Sequence, residues 1–187
     1  SDELDFPNLS MVGVDDRAAA YQAVSYLIQQ GHRKIAVLGG PATSHPSMMR
    51  RQGAQQAMED AGIRFEDKLY GLSNYDFESA YHAMNGLLAR RAEFTALFAM
   101  SDVIAFGAIR ALVSAGLRVP EDVSVIGFDG ITMSRYCVPV MTTIVQPSEQ
   151  IALQSIELLV RQIEHGTPAQ TVTLQPELQQ GESVRAL

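Results

Sequence analysis

The chain has 187 residues, of which 47% are hydrophobic and 19% are charged. This length is enough for one complete α/β domain and too short for two, and the composition is that of a folded globular protein. A net charge of −7 (14 Lys and Arg against 21 Asp and Glu) argues against nucleic-acid binding by this chain, because phosphate backbones are bound by clustered Lys and Arg. No apolar run is long enough to span a bilayer. The single cysteine, Cys137, excludes an internal disulfide and suits a reducing, cytoplasmic location.

Strand-like and helix-like segments alternate along most of the chain. Short runs rich in Val, Ile, Leu and Ala predict strands at residues 9–14, 35–38, 68–72, 95–99, 123–127 and 171–174. Apolar residues at helical spacing predict one helix that starts at about Ser47 and four others that are capped by Asp15 or Asp16, by Asp76, by Ser101 or Asp102, and by Ser148. Segment 131–147 looks irregular apart from an extended run at 141–145, and the chain after residue 174 is polar. This alternation predicts an α/β fold with a parallel, doubly wound sheet flanked by helices.

The segment around Asp129 carries the clearest functional signal. An apolar run from Val123 predicts a buried strand, and it ends in the sequence Gly-Phe-Asp-Gly. Asp129 is therefore predicted at the carboxyl edge of the sheet, where open α/β sheets bind their ligands. A carboxylate at this edge can accept hydrogen bonds from the hydroxyl or amine groups of a small polar ligand. The alternative is that Asp129 only caps a turn.

Signals for catalysis and for cofactors are absent from the sequence. It contains no Gly-x-Gly-x-x-Gly dinucleotide motif, no phosphate-binding P-loop and no Gly-x-Ser-x-Gly nucleophile motif. The four histidines are predicted to lie on the surface, and they lack metal-ligand spacing; they are His32, His45, His82 and His165. We therefore expect a binding protein with no metal and no cofactor.

Eight short motifs, in their order and spacing, resemble the effector-binding region of bacterial LacI/GalR-type transcriptional regulators. These regulators share their fold with periplasmic sugar-binding proteins. The motifs are Val-Asp-Asp at 14–16, Gly-His-Arg-Lys-Ile at 31–35, Gly-Gly-Pro at 39–41, Arg-x-x-Gly at 50–53, Asp-Phe-Glu-Ser-Ala-Tyr at 76–81, Ser-Asp-x-x-Ala-x-Gly-Ala at 101–108, the run Gly116 to Asp129, and Thr-Thr-Ile-Val-Gln-Pro at 142–147. Each motif is weak alone, but together they cover nearly the whole chain.

The resemblance implies a type I periplasmic-binding-protein-like fold, with two lobes joined by three crossovers and an effector in the cleft between them. On this basis, the C-terminal lobe is complete and the N-terminal lobe is partial. We expect residues 1–14 to be a remnant of the N-terminal lobe, 15–147 the C-terminal lobe with a crossover, 148–175 a returning helix and strand, and 176–187 a C-terminal segment. The DNA-binding head would lie outside this chain, and a lobe this incomplete should expose an apolar patch. The family also implies a homodimer that binds operator DNA.

Matching the family's effector contacts to this sequence gives seven candidate site residues: Ser44, Pro46, Arg50, Tyr75, Ser101, Asp129 and Gln146. Arg50 suits recognition of hydroxyl or carboxylate groups through its planar guanidinium, and Tyr75 would pack against a ligand ring. Two alternatives remain open: Arg50 as a solvated helix residue, and Tyr75 as a core or surface aromatic.

The other four candidates carry weaker signals. Ser44 and Pro46 lie in a loop where specificity varies in the family, and Gln146 lies at the second crossover. Ser101 stands where asparagine is usual in the family, and the following Asp102 is interpreted as a helix cap and not as a ligand contact.

Three functions follow as hypotheses. The leading one is the ligand-sensing domain of a transcriptional regulator, in which a small polar effector, expected to be a sugar, changes operator binding. The second is a periplasmic sugar-binding protein of a transport system. The third, an enzyme acting on sugars, finds no catalytic constellation in this chain.

Overall fold

The computed structural model describes residues 8–187 and contains eight strands and five helices. The strands are β1 (Met11–Val14), β2 (Ile35–Gly39), β3 (Tyr70–Leu72), β4 (Ala96–Ala99), β5 (Ser124–Asp129), β6 (Thr142–Val145), β7 (Thr171–Leu174) and β8 (Glu177–Gln179). The helices are α1 (Asp16–Gln29), α2 (His45–Asp60), α3 (Phe77–Ala89), α4 (Asp102–Ser114) and α5 (Ser148–His165). Short 3₁₀ turns lie at Asp67–Leu69 and Thr132–Arg135.

Six of the strands form one sheet in the order β3-β2-β4-β5-β6-β8. All neighbours in this sheet are parallel except β8, which is antiparallel to β6. Because β–α–β crossovers are right-handed, the reversal of strand order at β2 puts α2 on one face and α3 and α4 on the other. The predicted α/β fold is confirmed, but the sheet is mixed and not purely parallel. The polar sequence after residue 174 gave no sign of the antiparallel strand β8.

β1 and β7 lie outside this sheet. They pair in parallel with each other, from Met11 opposite Thr171 to Val14 opposite Leu174, as a separate two-stranded sheet. Helix α5 lies with them and presents apolar side chains to solvent: Leu153 and Ile156 are each 61% exposed and Ile163 is 75% exposed. The expected exposure of an apolar patch is therefore confirmed. Within the described residues, no helix has both the length and the hydropathy that a membrane span needs.

Two helices begin differently from the sequence prediction. Helix α2 starts at His45, two residues before the predicted Ser47, with a proline in its first turn. A proline is accepted there because its fixed φ suits a helix and its missing N–H would have no partner in the first turn. Ser148 is the first residue of α5 and not its cap: Pro147 holds the N-cap position, without a side-chain hydrogen bond.

His32 is fully buried, so its predicted surface position is wrong. Its Nδ1 lies 2.9 Å from the Thr95 hydroxyl, and its Nε2 lies 3.1 Å from the backbone carbonyl of Arg185. Two residues before Arg185, the Ser183 hydroxyl donates to the carbonyl of Val125 at 2.6 Å. The C-terminal segment is thus held against the six-stranded sheet by hydrogen bonds that no local sequence pattern reveals.

Candidate functional site

The carboxyl ends of the central strands meet at one edge of the six-stranded sheet. β2 ends at Gly39, β4 leads into Met100 and Ser101, and β5 ends at Asp129. Asp129 has a φ of 112°, a conformation that is uncommon for any residue other than glycine. Strained backbone of this kind is frequent at ligand-binding sites, where the surrounding structure holds it in place.

Arg50 of α2 joins two of these segments, at Met100 and Asp129, to the start of α1 at Asp16. It is only 6% exposed, so the alternative of a solvated helix residue is wrong. Its Nε donates to Asp16 Oδ1 at 2.7 Å, and its Nη1 donates to the Met100 carbonyl at 2.5 Å and lies 3.5 Å from Asp129 Oδ1. The guanidinium carbon lies 3.7 Å above the centre of the Phe128 ring. Arg50 is therefore fixed by packing and by charge.

Asp129 accepts a second contact from the other side. Gln146 Nε2 donates to Asp129 Oδ1 at 2.7 Å, and the Gln146 amide donates to the Asp129 carbonyl at 3.0 Å. Burial raises the pKa of Asp129, and the Arg50 guanidinium and the Gln146 carboxamide oppose that rise. The structure therefore brings together three predicted site residues, Arg50, Asp129 and Gln146. The Asp129 carboxylate contacts side chains that are distant in sequence, so Asp129 does more than cap a local turn.

An open depression of about 750 Å³ adjoins this cluster. Its lining includes Asp129, Gly130, Arg135, Gln146 and Gln150. The volume falls in the range of small-molecule sites. Carboxylate oxygens can accept hydrogen bonds here, and guanidinium and carboxamide groups can donate them.

Tyr75 lies in the loop between β3 and α3, in a left-handed backbone conformation with a φ of 59°. Its half-buried ring packs on the backbone of Gly40, where an added Cβ would lie 2.1 Å from a ring carbon. Within residues 8–187, the buried phenol oxygen has no hydrogen-bond partner. Glycine at position 40 is therefore required for the ring to occupy this place.

Within residues 8–187, the three remaining predicted residues form no hydrogen bond or ion pair with Arg50 or Asp129. Ser44 occupies the N-cap position of α2 without a capping side-chain bond, and Pro46 is exposed in the first turn. Ser101 is 4% exposed, and its hydroxyl accepts a hydrogen bond from the amide of Ile104 at 3.1 Å. The Ser101 hydroxyl thus caps α4.

Two carboxylates at this edge of the sheet, Asp16 and Asp102, were not predicted as site residues. Asp16 was interpreted only as a helix start, yet it binds Arg50. Asp102 was interpreted as a cap, but Ser101 holds that position and Asp102 is fully buried. Burial raises the pKa of Asp102 to about 6, while hydrogen bonds from the Thr143 hydroxyl and the backbone oppose the rise. An acidic residue at a helix start resembles a surface cap in sequence, so no local signal distinguished either residue.

In the described part of the chain, no group of three or more His, Cys, Asp or Glu side chains is placed to hold a metal ion. The site's chemistry is hydrogen-bonding and ionic, which suits a small ligand that carries several hydroxyl groups.

Comparison with known proteins identifies the family of this chain. Residues 24–184 match the periplasmic binding protein-like domain family. The HTH-type transcriptional regulator MalR of Clostridium butyricum is 38% identical over 174 residues, which cover 93% of this chain and 52% of that protein. The HTH-type transcriptional repressor CytR of Escherichia coli is 38% identical over 162 residues, which cover 87% and 47%.

Solved structures give the same picture. The transcriptional regulator CelR in complex with cellobiose superposes with a TM-score of 0.90 at 34% identity, covering 95% of this chain and 54% of that one. A sugar-binding LacI-family regulator from Escherichia coli, complexed with phosphate, has a TM-score of 0.85 at 34% identity, covering 93% and 63%. The chain spans about half the length of the curated relatives it matches. It belongs to the periplasmic binding protein-like domain family, in the form carried by LacI-family transcriptional regulators.

Proposed function

We propose that this chain is the ligand-sensing part of a LacI-type DNA-binding regulator, and that it binds a small polar effector at Asp129. The observation that carries the proposal is the buried Arg50, held between Asp16 and Asp129 at the carboxyl edge of the sheet. Burying a guanidinium and two carboxylates costs free energy, so the presence of these groups beside an open depression favours a binding role over a structural one.

The effector class we propose is a sugar. Asp129 can accept two ligand hydroxyls, since its carboxylate has more acceptor sites than Arg50 and Gln146 use. Two similar structures, one a regulator in complex with cellobiose and one a sugar-binding regulator, support this class. Ser44, Pro46, Tyr75 and Ser101 remain candidates for the ligand's surroundings.

Binding can be tested by thermal shift with cellobiose and a panel of mono- and disaccharides. A ligand that binds only the folded protein raises Tm as its concentration increases. Asp129→Asn is the informative variant, because asparagine has the same shape and tolerates a positive φ. Asp122→Asn is the matched control, since Asp122 pairs with Arg118 before β5 and away from the site.

We expect at least one sugar to stabilise the wild type and Asp122→Asn in a concentration-dependent way, and to stabilise Asp129→Asn much less. If the sugar raises the Tm of both variants equally, Asp129 does not contact the ligand. If no sugar in the panel raises Tm, the sugar assignment is refuted, and the same assay with nucleosides and other polar metabolites would then identify the class of effector.

Signal transfer to DNA requires that the ligand bind one arrangement of the whole protein better than another. Because coupling is reciprocal, the sugar that raises Tm should change the operator affinity of the full-length regulator, and operator DNA should change its sugar affinity by the same factor. An operator Kd that stays constant at saturating sugar would contradict this role. The proposal places the regulator in the cytoplasm, with its operator.

We also propose that the regulator is a homodimer, through an apolar face of the six-stranded lobe. Val138 is 93% exposed, Tyr136 is 77% exposed and Val113 is 53% exposed. Val113 and Val138 line the same shallow depression of about 410 Å³. Contiguous apolar exposure of this kind is typical of an interface between protein chains.

The oligomeric state tests this face. Val138→Asp is expected to convert a dimer into a monomer in light scattering, because an unpaired charge would be buried between the chains. Leu72→Asp, an equally apolar-to-charged change at the exposed edge strand β3, should leave the dimer intact. A wild-type monomer, or a dimer that persists in Val138→Asp, would refute the assignment.

A further inference from the structure

Asp102, the first residue of α4, lies beneath the turn that carries Asp129. It is fully buried, and both of its carboxylate oxygens are used. Oδ1 accepts from the Thr143 hydroxyl at 2.6 Å, and Oδ2 accepts from the amide of Ile131 at 2.8 Å. Thr143 belongs to β6 and Ile131 follows β5, so one side chain from a helix joins the segment after β5 to the neighbouring strand β6.

The carboxylate of Asp102 occupies the space in which a side chain at position 127 would lie. A Cβ at Gly127 would lie 2.2 Å from Asp102 Oδ1 and 3.3 Å from the Thr143 hydroxyl. Gly127 sits in the middle of β5 and is flanked by buried residues, where a larger side chain would ordinarily improve packing. Because Gly127 has no side chain, the Asp102 carboxylate can project into this space.

The turn above Asp102 needs an external support. Asp129 and Gly130 have consecutive positive φ angles of 112° and 70°. Such backbone persists only where its surroundings over-determine it. On one side, the amide and the carboxamide of Gln146 bind Asp129. On the other side, the Ile131 amide binds Asp102.

We propose that Asp102 is the positioning residue of the effector site, which clamps the turn after β5 to β6 and thereby holds Asp129 and Gln146 in contact. The clamp acts through these two residues and touches no ligand. This inference rests on the proposed function only because that function makes the positioned residues an effector site. The hydrogen bonds of Asp102 do not depend on a bound ligand.

The charge of Asp102 fits this role. Its pKa is about 6, so the carboxylate is ionised at neutral pH and both oxygens are acceptors. Burial is the main cause of the raised pKa of Asp102, and the charge of Asp129 adds to it. Burial also raises the pKa of the Cys137 thiol, with a smaller contribution from the charge of Asp102. Hydrogen bonds to a charged acceptor are stronger than neutral ones, which suits a clamp on a strained turn.

The test compares Asp102→Ala with Asp102→Asn in the intact, isotope-labelled protein without any ligand. Asparagine can still accept from Ile131 with its carbonyl oxygen and donate to the Thr143 hydroxyl, whereas alanine can do neither. Two NMR signals are followed: the exchange rate of the Ile131 amide, and the side-chain amide resonances of Gln146, which report its bond to Asp129.

In Asp102→Ala we expect exchange at Ile131 to be roughly tenfold faster or more, because a hydrogen bond to a charged group is lost. The Gln146 resonances should move toward those of an unbonded glutamine. Asp102→Asn should keep both signals close to the wild type. This recovery by a conservative change, together with a response at a side chain that Asp102 does not touch, would not arise from general destabilisation.

Thr143→Val and Thr143→Ser give a second pair that perturbs the clamp less, so the test does not depend on the folding of Asp102→Ala. Valine removes the hydroxyl and should reproduce the alanine effect in part, and serine should not. Thr171→Val, the same change at an exposed position of β7, is the control. Unchanged Ile131 exchange and Gln146 resonances in Thr143→Val would overturn the proposal. Since no ligand is used, this result is independent of whether a sugar binds.

Discussion

Replacing Arg50 by methionine removes the one cation from a cluster that contains two carboxylates. Methionine approximates the length and apolar stem of the arginine, so the change tests the charge and the hydrogen bonds more than the packing. In the variant, Asp16 and Asp129 keep their charges but lose their shared partner, and the Met100 carbonyl loses its donor.

The expected loss follows from burial. Removing one partner of a buried ion pair costs about 3–5 kcal/mol. The two carboxylate side chains are 17% and 27% exposed, so solvent offsets part of this cost. We therefore expect the free energy of unfolding to fall by about 3 kcal/mol, which for a chain of this size lowers Tm by roughly 6–12 °C.

The loss should depend on pH in a defined direction. Burial raises the pKa of Asp129, and Arg50 opposes that rise. Without Arg50 the pKa of Asp129 rises further, so the folded variant takes up a proton at a higher pH than the wild type. A protonated Asp129 needs no cation, and the difference in stability between the variant and the wild type should shrink as pH falls from 7 toward 5.

Urea unfolding of both proteins at pH 7 and pH 5 measures these two effects. Arg118→Met is the matched control, because Arg118 also pairs with an aspartate but its side chain is 70% exposed. The control should lose much less, since exposed ion pairs are screened by solvent. Equal losses in the two variants at pH 7, or a loss in Arg50→Met that does not shrink at pH 5, would refute this account of the cluster.

Four further substitutions have defined outcomes. Gly53→Ala should destabilise strongly in urea unfolding, because its Cβ would lie 2.0 Å from the Arg17 carbonyl on α1, whereas Gly86→Ala in open space on α3 should stabilise by about 0.5–1 kcal/mol. The pKa of Asp102 lies above the value of 3.8 that it has in an unfolded chain. The folded protein therefore binds more protons between about pH 4 and 6, and stability gains about 3 kcal/mol from this group as pH falls. Asp102→Asn should lack that gain. If the free energy of unfolding of the variant and of the wild type changes with pH in parallel, this prediction is contradicted. Ser101→Ala should cost about 1 kcal/mol of unfolding free energy through the lost helix cap, and an unchanged denaturation midpoint would exclude that role.

The site was predictable where the chain itself carries the signal. Asp129 was predicted as a site residue because an apolar run ends in it, and Arg50, Gln146 and Tyr75 were predicted because the chain resembles a known family; the structure brings Arg50, Asp129 and Gln146 into contact. The sequence did not decide whether Arg50 is buried, because an arginine on a helix gives the same local sequence pattern whether it is solvated or enclosed. The contacts of Asp16 and Asp102 were not predicted for the same reason, since an aspartate at a helix start is typical of a cap.

The sequence by itself determined the α/β class, the order of strands and helices, and the position of Asp129 at a strand end. These properties depend on hydrophobic period and on turn residues, which act between near neighbours in the chain. Only the tertiary structure decided that Arg50 binds Asp16, that Asp102 binds Thr143, that His32 is buried, and that β8 runs antiparallel to β6. Each of these is a contact between groups far apart in sequence, and its free energy depends on how far folding removes both partners from water.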